Sequence, residues 1–449
     1  MSQWWAELAW LGGDRVAEAV LLTVEGDRLA AVEPGRPAPP GARRLAGLVL
    51  PGLVNAHSHA FHRALRGRTH AGAGDFWAWR ERMYELAGRL EPGTYQTLAP
   101  AVFAEMALAG ITTVAEFHYL HHPARPSGGR YADPNALGLA LVAAAAEAGV
   151  RLTLLDTCYL RAGADGAPLA GVQARFGDGD ADAWAERAAA LHQRAKGATV
   201  RVGAAIHSVR AVPPKAMTTV AGWAGELGVP LHLHLAEQRR EVADCLAATG
   251  RTPAGLCADT GVLGPATTAV HATHLTDDDV ALLGGHGVTA CICPTTERDL
   301  ADGVGPAARL AQAGAPLALG SDSHAVIDLF EEARAVELDE RLVSGRRGLH
   351  RPAALLAAAT AGGAGSAGWP EAGVLAPGRL ADFVAVRLDG PRLAGTDPAQ
   401  VVPAVVFGAG AADVTDVVVG GRPVVAGGRH LGVGDVGRAL AVAIGAVTG

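Results

Sequence analysis

Apolar residues come in two textures along this chain. Towards both ends they form short runs broken by glycine and polar turns. Val20–Val24, Glu25-Gly26-Asp27-Arg28 and Leu29–Val32 lie near one end, and Asp382–Val386 and Val417–Val425, the latter interrupted by Gly420-Gly421, lie near the other. Apolar runs separated by such turns predict hairpins. Between them lie longer runs: Leu48–Ala56, Thr112–Phe117, Leu152–Tyr159, Val200–Ile206, Pro230–Leu235, Thr268–Ala272, Val288–Cys293 and Leu317–Gly320. They alternate with alanine-rich stretches of helical length, which implies parallel strands, and their near-continuous apolarity implies a sheet covered on both faces. Eight strand–helix units over about 320 residues fit a (β/α)8 barrel with insertions. The expected fold is therefore α/β: a TIM-type barrel over residues 48–372 and a small β-sandwich domain built from both termini, residues 1–47 and 373–449.

Polar residues end nearly every long run: His57 and His59, Glu116 and His118, Asp156 and Tyr159, His207 and Arg210, His232 and His234, His271 and His274, Thr295 and Glu297, Asp322 and His324. In a (β/α)8 barrel the carboxyl ends of the strands carry the active site. A strand turns alternate side chains to one face, so His57 and His59 point the same way and can grip one ion. A fifth-strand histidine and Asp322 complete three imidazoles and a carboxylate. That set suits Zn2+, one per chain, with a position left for water; Fe2+ or Mn2+ are compatible by ligand type. His232 and His234 share a strand face, and the residues alone leave either as the ligand.

Composition narrows the class. The net charge is −7, with acids and bases interspersed, so no nucleic-acid surface is expected. The five cysteines form no C-x-x-C pair, and their odd count argues against a disulfide framework; Cys291 and Cys293 read as buried side chains of one strand face. The first residues lack a basic segment followed by a long apolar one, and no uncharged run is long enough for a bilayer. A cytoplasmic enzyme acting on a small molecule is expected, without nucleic-acid or membrane partners. Lysines number only two, Lys196 and Lys215, and neither ends an apolar run.

Pro51–His59, a fifth-strand and a sixth-strand histidine, and Gly320-Ser321-Asp322-Ser323 together resemble the amidohydrolase superfamily over nearly the whole chain. Members often carry a β-sandwich made from both termini. Two-metal members usually bridge their ions with a carboxylated lysine at a strand end, so the placement of Lys196 and Lys215 favours a one-metal, deaminase-type site. His234-Leu235-Ala236-Glu237 is similar to the one-metal deaminases, where a glutamate three residues after the ligand moves protons. The resemblance thus implies His57, His59, His234 and Asp322 as metal ligands. It implies Glu237 as proton relay, His271 as the group that orients water, and Asp322 as acceptor of the water's proton.

The loops resemble one family within that group, the deiminases that convert N-formimidoyl-L-glutamate to N-formyl-L-glutamate and ammonia in histidine degradation. Phe61–Gly67, Asp75–Tyr84, Val114–His122, Tyr131–Pro134, Ile206–Val212 and Cys293–Glu297 with Asp302-Gly303 carry this likeness. The family attacks the formimidoyl carbon with metal-bound hydroxide and is implied to be a homodimer. A substrate with two carboxylates requires cations, and Arg210 and Arg82 are the candidates, with Tyr119 and His207 as neutral donors. His62 stands where the family has a glutamine beside the substrate. His118, His121 and His122 are expected to pack in loops or at the surface, and Trp77 and Trp79 in the first loop. The alternative is a one-metal deaminase of an aromatic heterocycle.

Overall fold

The computed structural model describes residues 1–70, 76–124 and 129–449. The first long apolar run changes sheet at Gly52. Strands β1 (Ser2–Ala9), β2 (Ala17–Glu25), β3 (Arg28–Glu33) and β4 (Arg43–Pro51) belong to one sheet, and β5 (Leu53–Ser58) opens another. Gly52 N still donates to Asp382 O, whereas Leu53 N donates to Gly110 O. Leu48–Ala56 is therefore two strands, not one.

The second sheet continues through β6 (Ile111–His118), β7 (Arg151–Cys158), β8 (Val200–Ile206), β9 (Leu231–Leu235), β10 (Thr267–His271), β11 (Thr289–Ile292) and β12 (Leu317–Leu319). Each strand pairs in parallel with the next in sequence. Each of the eight predicted runs overlaps one of these strands. The barrel closes through a short contact: Asp322 N donates to His57 O at 3.1 Å and His59 N to Asp322 O at 3.3 Å. Gly320 permits it, since a Cβ there would lie 2.7 Å from His57 Cβ and 2.9 Å from Cys293 Sγ. The seam that completes the barrel is thus the place where the predicted ligands meet.

The terminal sheet adds β13 (Phe383–Val386), β14 (Val414–Val419), β15 (Arg422–Ala426) and β16 (Arg429–His430), in the order β16-β15-β14-β13-β4-β1-β2-β3. Only β1 and β4 pair in parallel. Gly420 and Gly421 turn the β14–β15 hairpin with φ of +55° and +73°, the left-handed pair that a two-residue turn between twisted strands needs. Trp4 and Phe383 pack edge to face in its core, 5.3 Å between centroids.

The two sheets are joined by a buried ion pair. Arg151 of β7 grips Asp382 through Nε at 2.7 Å and Nη2 at 3.1 Å, and Asp382 also accepts from Gly420 N at 2.6 Å. Breaking such a pair from one side typically costs about 3–5 kcal/mol. The sequence reading did not anticipate the helix Val436–Thr448, which packs along the helix Pro92–Leu108. Among the described residues no helix is long and apolar enough to cross a membrane.

Candidate active site

Four donor atoms converge where β5, β9 and the segment after β12 end. His57 Nε2 lies 3.2 Å from both His234 Nε2 and Asp322 Oδ1, and His59 Nε2 lies 3.4 Å from both. Each of these four separations is close to the ~3.4 Å expected between neighbouring donors that lie ~2.0–2.1 Å from one ion, and the His271 donor also lies within 4.8 Å of those of His57, His234 and Asp322. The rings are oriented from behind. His59 Nδ1 meets Phe117 O at 2.9 Å and His234 Nδ1 meets His207 O at 2.8 Å. A carbonyl only accepts, so both rings carry their proton on Nδ1 and turn the Nε2 lone pair inward. Burial lowers the basicity of His57, His59 and His234 below the usual histidine range, which keeps them neutral. Lone pairs this close repel unless a cation lies between them. The donor set therefore fits one divalent ion of borderline softness. His232 is not part of it; its Nε2 is engaged by Ser366 O at 2.9 Å.

The backbone is bent to make this cluster. Ala236, His271, Ala272, Asp322 and His324, at the ends of β9, β10 and β12, have φ between 42° and 69°. Left-handed backbone at non-glycine residues costs energy and gathers at functional sites. Between His57 and His59, Ser58 ends β5 and points the opposite way. Its Oγ donates to Glu116 Oε2 at 2.5 Å, and Ala60 N donates to Glu116 Oε1 at 2.6 Å. Glu116 thus clamps the strand end that carries both histidines. The sequence had shown it only as a strand-end acid.

His271 and Glu237 flank the centre. His271 Nε2 lies 3.8 Å from Asp322 Oδ2 and 3.9 Å from Glu237 Oε1. On its other side, His271 Nδ1 lies 3.3 Å from Glu297 Oε1, an oxygen that also accepts from Cys293 N. Burial works against a charge on His271, but Glu237, Glu297 and Asp322 surround it and raise it well above the usual range. Burial pushes the Glu237 carboxyl up to about 7, opposed by His271. An acid of that strength near neutrality both takes and gives a proton. Glu297 was legible as a strand-end residue; its hold on His271 was not.

Above these groups opens a cavity. His62, Tyr119, His207 and Arg210 line it. The Tyr119 hydroxyl lies 3.0 Å from His62 Nε2, while His62 Nδ1 has no partner among the described residues. Burial lowers His62 to about 3, so the ring is neutral and has one hydrogen bond left to offer. Arg210 Nη1 is buried and likewise unpartnered.

Arg82 is not brought to the cavity. It sits on the outer face of the helix Phe76–Ala87, exposed, and pairs with Glu85 at 3.1 Å. Arg80, two residues earlier, lines the cavity instead; its Nε is buried without a partner among the described residues, and its guanidinium lies over the rings of Trp77 and Tyr84. Trp79 also forms part of the wall, edge to face with His62. Asp75, quoted with this motif, lies outside the described residues.

His118, His121 and His122 are buried rather than at the surface. His121 Nε2 reaches Thr157 O and His122 Nε2 reaches Asp178 Oδ1, while Arg187 binds both Asp178 and Asp156. This network is separate from the cavity. Cys291 and Cys293 are buried, as read.

Residues 48–424 match the amidohydrolase family. The chain is 40% identical to a formimidoylglutamate deiminase of Pseudomonas aeruginosa, over 90% of each protein. It is 32% identical to an 8-oxoguanine deaminase of the same organism, over 84% of each. In structure it resembles an amidohydrolase from Brucella melitensis, with a TM-score of 0.92 and 33% identity over 100% of both chains. It also resembles a zinc-bound adenosine deaminase from Xanthomonas campestris, with a TM-score of 0.84 and 25% identity over 99% of this chain and 97% of the other.

Proposed function

The chain belongs to the amidohydrolase family, as a hydrolase of carbon–nitrogen bonds, and we propose that its substrate is N-formimidoyl-L-glutamate, cleaved to N-formyl-L-glutamate and ammonia. One observation carries this reading. The cavity that ends on the four-donor cluster is also lined by two arginines, Arg80 and Arg210, each with a buried N–H that has no partner among the described residues. Buried donors without acceptors are costly, and a carboxylate relieves that cost with charge-assisted hydrogen bonds. Glutamate brings two carboxylates to two guanidinium groups. The identity to a formimidoylglutamate deiminase supports the same choice.

The proposed cofactor is a single Zn2+ on His57, His59, His234 and Asp322. Such an ion, when bound, brings the pKa of a cavity water toward ~7. The side chains do the rest. Asp322 directs Oδ1 to His57 and His59 and Oδ2 toward His271, so Oδ2 is placed to accept the proton of the attacking water. The water oxygen bonds to the formimidoyl carbon as the C=N electrons move to the terminal nitrogen. His271 donates to the oxygen on which charge develops. Glu237 protonates the terminal nitrogen to an amine; the proton held on Asp322 then reaches the same nitrogen while the hydroxyl proton passes to Glu237, the carbon–nitrogen bond breaks, and ammonia leaves with the formyl oxygen retained. Tyr119, His62 and His207 supply neutral hydrogen bonds to the rest of the substrate.

The direct test is ammonia release from N-formimidoyl-L-glutamate, run beside N-formimidoyl-L-aspartate and guanine. Turnover is expected for the glutamate derivative; preference for guanine would overturn the reading. Elemental analysis is expected to give about one zinc per chain, and two tightly held equivalents would contradict a four-donor centre. Arg80→Met is expected to lower kcat/KM by about tenfold or more, in line with loss of a charged hydrogen bond. Arg82→Met is expected to leave kcat/KM unchanged, and the reverse pattern would restore Arg82 as the carboxylate ligand.

A further inference from the structure

Arg161 follows β7 and directs its guanidinium at the backbone of the loop after β8. Nε donates to Arg210 O at 3.0 Å and Nη2 to Val209 O at 2.9 Å. The two bonds come from one edge of a planar group, so they fix both distance and orientation. The main chain adds to the hold. Leu160 N and Arg161 N both donate to Ala211 O, and His207 N donates to Cys158 O. The loop is tied at its other end to the metal centre, because His207 O accepts from His234 Nδ1 at 2.8 Å. Residues 207–211 therefore span the interval between a ligand of the centre and the Arg210 guanidinium.

We propose that Arg161 is a positioning residue that fixes the spacing between the reacting centre and the carboxylate site, and so sets the chain length of the dicarboxylate that is accepted. The inference rests on the reading of Arg210 as a carboxylate ligand. A methylene more or less moves a carboxylate by over an ångström, and misplacement on that scale weakens catalysis strongly. Discrimination between a glutamate and an aspartate derivative then requires that Arg210 cannot follow the shorter substrate, and the Arg161 fork holds it in place.

The experiment measures kcat and KM of wild type, Arg161→Met and Arg161→Lys with N-formimidoyl-L-glutamate and N-formimidoyl-L-aspartate, with metal content determined on each protein. Arg161→Met is expected to raise KM for the glutamate derivative about tenfold, with kcat within threefold and metal retained. Its preference for glutamate over aspartate is expected to fall at least fivefold. Arg161→Lys, which keeps the charge and one donor, is expected to lie between and serves as the test if the methionine variant does not fold. An unchanged preference, or an equal loss on both substrates accompanied by loss of metal, would overturn the proposal. Failure of wild type to act on either substrate would instead overturn the functional reading.

Discussion

Glu237→Gln is expected to lower kcat by roughly two orders of magnitude or more while leaving the metal in place. General acid–base catalysis by one side chain is worth about 10²–10⁴-fold. Glutamine keeps the size of the side chain and leaves the Glu237 N to Glu241 Oε2 hydrogen bond untouched, so the local backbone survives. What it removes is the exchangeable proton, at a position where burial already holds the acid at about 7. The four donors at 3.2–3.4 Å do not include residue 237, which is why metal content should not change. Steady-state kinetics with metal analysis of the same preparation checks both halves. Turnover within a few-fold of wild type would reduce Glu237 to a residue that only starts the following helix.

The convergence of His57, His59, His234 and Asp322 was legible because barrel geometry converts sequence position into spatial position. Alternation on β5 puts His57 and His59 on one face, and parallel strands bring every run's end to the same rim. Choosing His234 over His232 needed the spacing to Glu237, and the structure supplies the physical reason: His232 lies deeper, held by Ser366. Arg80 was missed although a signal was present. Phe76, Arg80, Met83 and Tyr84 stand at helical spacing i, i+4, i+7 and i+8 and all line the cavity. Arg82, two residues on, is turned by about 200° to the other side. The split at Gly52 was hidden because both sheets accept apolar residues on both sides of it. Glu297 and Glu116 act on other site residues through hydrogen bonds, and no spacing rule along the chain reports such partners.

Arg210→Met is expected to lower kcat/KM for N-formimidoyl-L-glutamate by roughly 30-fold or more. Arg210 lies in the cavity wall with Nη1 buried and unpartnered among the described residues. If a substrate carboxylate completes it, methionine fills the volume but leaves that carboxylate desolvated and unpaired. Truncating one side of such a pair costs about 2–5 kcal/mol, and each ~1.4 kcal/mol is tenfold. The choice of substrate separates this effect from damage to the fold. A formimidoyl compound without a carboxylate gains nothing from the guanidinium, so it should be poor for wild type and little changed by the substitution. The comparison is kcat/KM for both compounds on both proteins. An equal loss on the two would mean that Arg210 supports the loop or the metal centre, since His207, three residues earlier, holds His234 through its carbonyl. The case for a dicarboxylate substrate would then rest on Arg80 alone.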